Sequence, residues 1–81
     1  MIDGRRLHML RKLKEGDRIS VSGYADELGL KDYGTVSVET NGTVIMTPPK
    51  YAKKILVTLD SIDGEGNVTV LLYRKHIQPI H

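Results

Sequence analysis

The sequence predicts a mainly β fold, a five-stranded antiparallel barrel preceded by one short N-terminal α-helix. Three observations predict it. Aliphatic residues alternate with polar ones in short runs: Ile19 and Val21, then Ile55, Val57 and Leu59, then Val68, Val70 and Leu72. Turn-forming clusters bound those runs, among them Gly16-Asp17, Pro48-Pro49 and Asp63-Gly64-Glu65-Gly66-Asn67. A single helical period, Ile2, Leu7, Met9, Leu10 and Leu13, precedes them all. Strands this short and twisted avoid unpaired edges best by curling the sheet upon itself.

Taken in order, Asp3 is placed to cap a helix over residues 4–14, which Glu15-Gly16 ends. At the helical period its apolar residues fill an arc of roughly 160°. Arg5, His8, Arg11 and Lys12 lie opposite, while Arg6 falls within the apolar arc, where a snorkelling side chain is tolerated. Gly16-Asp17 turns the chain into a first strand over residues 18–23. Residues 24–33 form a polar, glycine-punctuated connection in which residues 25–29 suit one helical turn. A connection of this length in so small a domain is usually functional or mobile.

The centre of the chain is expected to be a hairpin over residues 33–47 with Asn41-Gly42 as its loop. Asn-Gly readily adopts the positive φ angles of a type I′ turn, whose twist matches the flanking strands. Thr40 then faces Thr43, Val38 faces Ile45 and Val36 faces Thr47, so Val36, Val38 and Ile45 share the core side. Pro48-Pro49 ends the hairpin, since proline cannot continue a central strand. A basic bend follows, then strands over residues 54–60 and 68–73, and a tail that returns Ile77 and Ile80 to the core. The expected division is one domain over residues 1–81, with the helix over 1–15 and the barrel over 16–80.

Composition narrows the functional classes. With 81 residues and no cysteine, neither a disulfide framework nor a thiolate metal site holds the fold. There is no Phe or Trp and only four Tyr, so the core is thin and homo-oligomer formation is an expected aid to stability. No apolar run approaches the roughly 20 residues of a membrane helix, and the first residues lack a secretory apolar segment. A cytoplasmic location without membrane contact is the expectation, and the triplets at Asn41 and Asn67 are then not glycosylation sites.

The net charge of +2 is small, but it is unevenly spread. Arg5, Arg6, Arg11, Lys12 and Lys14 crowd the first residues against Asp3 alone, whereas Asp26, Glu27 and Asp32 crowd the connection against Lys31.

Gly16-Asp17-Arg18-Ile19-Ser20-Val21, Gly34-Thr35-Val36, residues 55–60 (Ile-Leu-Val-Thr-Leu-Asp) and His76-Ile77-Gln78-Pro79-Ile80 together resemble the SH3-like small β-barrel superfamily. The resemblance spans roughly residues 16–80 and implies a fold and a binding role rather than a ligand. Single barrels of this kind occur in ribosomal, transcription-factor and peptide-reading proteins and in many phage or plasmid proteins. Proline-peptide readers use a groove with Trp, which is lacking here. In the plasmid-borne type II dihydrofolate reductases a strand glutamine meets folate. The nearest match, Val70-Leu71-Leu72-Tyr73, has Leu71 in its place.

No catalytic set emerges. His8, His76 and His81 are unpaired at ligand spacing, no serine stands in a nucleophile motif, and Asp60, Asp63 and Glu65 fail the calcium-loop pattern. The expectation is therefore a small non-catalytic binding or regulatory protein of phage or mobile-element type, with no cofactor, docking on a protein partner. Its docking candidates are Asp26, Glu27, Leu28, Leu30 and Asp32, with the two leucines as exposed anchors. The alternative is a nucleic-acid-binding barrel that contacts phosphates through Arg5, Arg11 and Lys12 of the helix and Lys50, Tyr51, Lys53 and Lys54 of the bend. Arg74 and Lys75 join that patch if the fold brings them alongside.

Overall fold

In a computed structural model, which describes residues 13–80, five strands form one antiparallel sheet. They are β1 (Arg18–Tyr24), β2 (Ser37–Val44), β3 (Lys54–Ile62), β4 (Glu65–Tyr73) and β5 (Ile77–Pro79). The order across the sheet is β4-β3-β2-β1-β5, so β4 and β5 are its outermost strands. One helical turn, α1 (Ala25–Leu28), and two 3₁₀ turns, Lys31–Tyr33 and Arg74–His76, lie in the connections.

Five strands are present as expected, but they are not the expected five. Asn41-Gly42 is no turn: β2 runs straight through it, with Asn41 opposite Ser20 and Gly42 opposite both Ile19 and Leu59. The two halves of the anticipated hairpin are one strand, and the C-terminal tail supplies the fifth. Because side chains alternate along a strand, removing a two-residue loop changes which of them face inward. Val38 and Val44 are buried together, while Ile45 is 38 % exposed.

Gly42 has a different task there. A Cβ at this position would sit 2.8 Å from the Thr58 carbonyl oxygen and 3.2 Å from Leu59 Cδ2. The position demands space, and its φ lies outside the left-handed region. β2 pairs with β1 along its length up to Thr43 and with β3 only from Gly42 onward. The glycine therefore marks where the strand passes from one partner to the other, a close approach of backbones that tolerates no side chain.

The type I′ hairpin lies at Asp63-Gly64, between β3 and β4. Ile62 pairs with Glu65, and φ is +48° at Asp63 and +83° at Gly64, the two positive values this turn requires. From the turn the register runs unshifted to Lys54 opposite Tyr73, with Thr58 and Thr69 hydroxyls 2.8 Å apart midway.

The inner face of the sheet is sealed by Ile19, Val21, Val44, Ile55, Val57, Leu59, Leu72 and Ile77, which join the other buried side chains in one cluster. Residues 25–33 cover part of it. Ala25 and Leu28 are fully buried and Leu30 nearly so, whereas Asp26, Glu27 and Asp32 face solvent. The backbone at Gly29 packs on the Tyr73 ring, and the Tyr33 hydroxyl donates to Glu65 Oε1 at 2.9 Å. The connection thus touches β4 near both of its ends and shields an outermost strand.

The anticipated helix over residues 4–14 lies almost wholly outside the described residues. Its described end is not helical: residues 14–17 form a turn in which the Asp17 amide donates to the Lys14 carbonyl at 3.0 Å and the Lys14 amide to Asp17 Oδ2 at 3.0 Å. Leu13 is buried in the core, although it is not itself helical.

Candidate functional site

Charge is sorted along the β3–β4 hairpin. Its turn end carries Asp63 and Glu65, with Asp32 close enough to act on Tyr33. Its open end carries Lys54 and Tyr73, followed directly by Arg74 and Lys75 and preceded by Lys50, Tyr51 and Lys53. At about 3.3 Å per residue, Lys54 and Ile62 stand roughly 26 Å apart, well beyond the ~8 Å Debye length of physiological salt. The two ends act electrostatically as separate surfaces.

The basic end is assembled by backbone geometry. The Ala52 amide donates to the Pro49 carbonyl at 3.1 Å, which folds residues 48–53 into a bend. The Arg74 amide donates to the Lys53 carbonyl at 2.8 Å, which lays that bend beside the end of β4. Ala52, Lys53, Tyr73, Arg74 and Lys75 line a shallow, mostly apolar groove of about 460 Å³. Lys54 Nζ lies 5.1 Å from the Tyr73 ring centroid and Lys75 Nζ 6.0 Å from it, so the ring face holds two cations at cation–π range.

Tyr51 projects from the bend with 84 % of its surface exposed, and Lys50 Nζ approaches its ring at 5.4 Å. Among the described residues the sole ion pair is Arg18–Asp60, so Lys50, Lys53, Lys54, Arg74 and Lys75 have no carboxylate partner there.

A second depression of about 390 Å³ begins at Lys75, which lines both. Its other walls are Ser20, Ser22, Glu39, Thr40, Asn41, His76 and Gln78, hydrogen-bonding groups with Glu39 as the one carboxylate, together with Val21. A third feature is an apolar row across the outer face. Leu56 pairs with Leu71 on β4, and the Ile45 amide donates to the Leu56 carbonyl at 3.2 Å. Leu71 is half exposed.

The candidate residues divide sharply. Lys50, Tyr51, Lys53 and Lys54 are exposed and lie together with Arg74 and Lys75. Arg5, Arg11 and Lys12 lie outside the described residues. Leu28 and Leu30, expected as exposed anchors of a docking loop, are 0 % and 6 % exposed and serve the core instead. Burying their apolar surface stabilises the fold more than any exposed role, and it leaves Asp26, Glu27 and Asp32 as a solvated acidic edge without anchors.

Sequence reasoning missed Tyr73 and the polar depression. Tyr73 was within reach: an Asp63-Gly64 turn pairing Ile62 with Glu65 implies Lys54 opposite Tyr73 by counting back along both strands. The depression gathers residues from β1, β2 and β5, and no local signal announces it. Among the described residues no group of three or more His, Asp or Glu is placed to hold a metal ion, and no helix is long and apolar enough to cross a membrane. Comparison with family models, with curated proteins and with solved structures finds no match for this chain.

Proposed function

We propose that this chain is a small non-catalytic binding module of the SH3-like barrel type whose basic end takes nucleic acid. The observation that carries the reading is the gathering of five cations from residues 50–54 and 74–75 around Tyr51 and Tyr73, with no carboxylate partner among the described residues. Like charges held together without counter-charges repel one another, and a polyanion relieves that repulsion while releasing its own condensed counterions. The strand order β4-β3-β2-β1-β5, with the short last strand beside the first, fits the barrel part of the reading.

Fluorescence anisotropy with labelled mixed-sequence DNA and RNA tests it. Five phosphate contacts give a slope of about −4 for log affinity against log salt. Between about 50 and about 200 mM salt that amounts to a loss on the order of 10²-fold. The double variant Lys53→Glu, Arg74→Glu abolishes binding while remaining folded, since both side chains lie at the surface. Absence of binding at the lowest salt overturns the reading.

A protein partner is the second reading, and the row of Ile45, Leu56 and Leu71 favours it, because exposed aliphatics in a contiguous row gain from being covered. This reading places the contact on the sheet's outer face rather than on residues 26–32. Capture of a partner that survives Leu71→Lys, Ile45→Lys would rule that face out.

A further inference from the structure

We propose that the basic end is built for single-stranded rather than duplex nucleic acid, with a base stacked on Tyr51, phosphates along Lys53, Lys54, Arg74 and Lys75, and the following base edges in the polar depression beyond Lys75. The inference rests on the phosphate-binding reading above and specifies its ligand.

Tyr51 carries the distinction. Its ring is 84 % exposed at the tip of a bend. A lysine approaches the ring, an arrangement that suits an unpaired base, whose π face is open, with the ammonium near the adjoining phosphate. A duplex hides its base faces in the stack and offers the ring nothing but phosphate and sugar.

The rest of the surface agrees. Duplex reading uses a helix or a two-stranded ribbon inserted in the major groove. Among the described residues the longest helix has four residues, and β3 is flanked on both sides in the sheet. Lys75 instead lines both depressions. A strand that continues past Lys75 reaches Ser20, Ser22, Asn41 and Gln78, whose hydroxyls and amides can pair with exposed base edges. Glu39 on that wall repels phosphate but accepts a hydrogen bond from a base amino group, which favours bases over backbone at that point.

The test compares a labelled 12-nucleotide single strand, in DNA and RNA forms, with the duplex of the same sequence, for the wild type, Tyr51→Ala and Lys53→Gln. The single strand is expected to bind at least about five-fold more tightly than the duplex, the lower end of what one stacked base contributes. Tyr51→Ala is expected to erase that preference without changing the salt slope, and Lys53→Gln to lower the slope by about 0.7 while keeping the preference. Because the chain has four Tyr and no Trp, stacking also registers directly as quenched tyrosine fluorescence, and Tyr51→Ala removes that signal. Equal or tighter duplex binding, or an unchanged preference in Tyr51→Ala, overturns this inference and leaves the phosphate reading standing. No binding to any of the probes overturns both.

Discussion

Arg18 reaches from β1 across β2 to grip Asp60 on β3 with both arms of its guanidinium, Nη1 at 3.0 Å to Oδ1 and Nη2 at 2.6 Å to Oδ2, while Nη1 also donates to Thr43 Oγ1 at 2.9 Å. The pair ties three strands together on the outer face at the place where β2 exchanges one neighbour for the other. The bidentate form adds geometric restraint that a single contact lacks, although both side chains are nearly half exposed and solvent weakens the attraction.

That contact gives a pH prediction. The hydrogen bond from Arg18, aided by its charge, holds the Asp60 carboxyl below its ordinary range. A carboxyl with a lowered folded pKa contributes stability that is fully present above the unfolded value, near 4, and is lost as pH falls through the folded value. Urea midpoints for the wild type and Asp60→Asn should therefore differ modestly at pH 7 and converge as pH drops below about 4. A constant gap across that window would show that the contact has no linked protonation.

Tyr33 predicts the opposite limb. Its hydroxyl donates to Glu65, and that bond, with partial desolvation and the nearby charges of Glu65, Asp32 and Asp63, raises its pKa above the usual value near 10. A raised folded pKa gives stability that is present below the unfolded value and lost as pH rises through the folded one. The wild type should weaken above about pH 10 more steeply than Tyr33→Phe in thermal melts. Parallel curves would remove the Tyr33–Glu65 bond as a contributor.

Gly42→Ala tests the continuous strand. The added methyl would meet the Thr58 carbonyl oxygen at 2.8 Å, and backbone in the middle of a sheet cannot easily give way. The expected loss is about 1–3 kcal/mol, that of an overpacked core, read from denaturant midpoints. Were Asn41-Gly42 an exposed hairpin loop, the clash would not arise, so an unperturbed Gly42→Ala would contradict the register.

Leu28→Ala distinguishes a core role from a docking role. Leu28 is fully buried beneath the connection, and its truncation should cost about 2–5 kcal/mol. Glu27→Ala, on the neighbouring solvent-facing position, should stay within about 0.5 kcal/mol. Comparable stabilities for the two would return Leu28 to the surface.

Much of this protein was legible in its residues. The mainly β character, the strand starts at Arg18 and Lys54, a turn within residues 63–67 and the buried alternations of Ile19/Val21 and Ile55/Val57/Leu59 all follow from period-two patterning and turn chemistry, which act over a few residues, although Glu65-Gly66-Asn67 of that cluster belong to β4. The cations of residues 50–54 were visible as a local cluster for the same reason.

Tertiary structure decided what local rules leave open. Asn-Gly has the chemistry of a tight turn, yet at 41–42 it is kept extended by pairing with β1 on one side and β3 on the other. Leu28 and Leu30 sit in a polar loop whose composition reads as exposed, and they are drawn inward to join the core cluster against the sheet. Tyr73, Arg74 and Lys75 join Lys53 because one turn, some nine residues away, sets the register of the whole hairpin. Each of these outcomes depends on contacts between residues far apart in sequence, and such contacts are fixed by packing the whole chain at once rather than by any stretch of it.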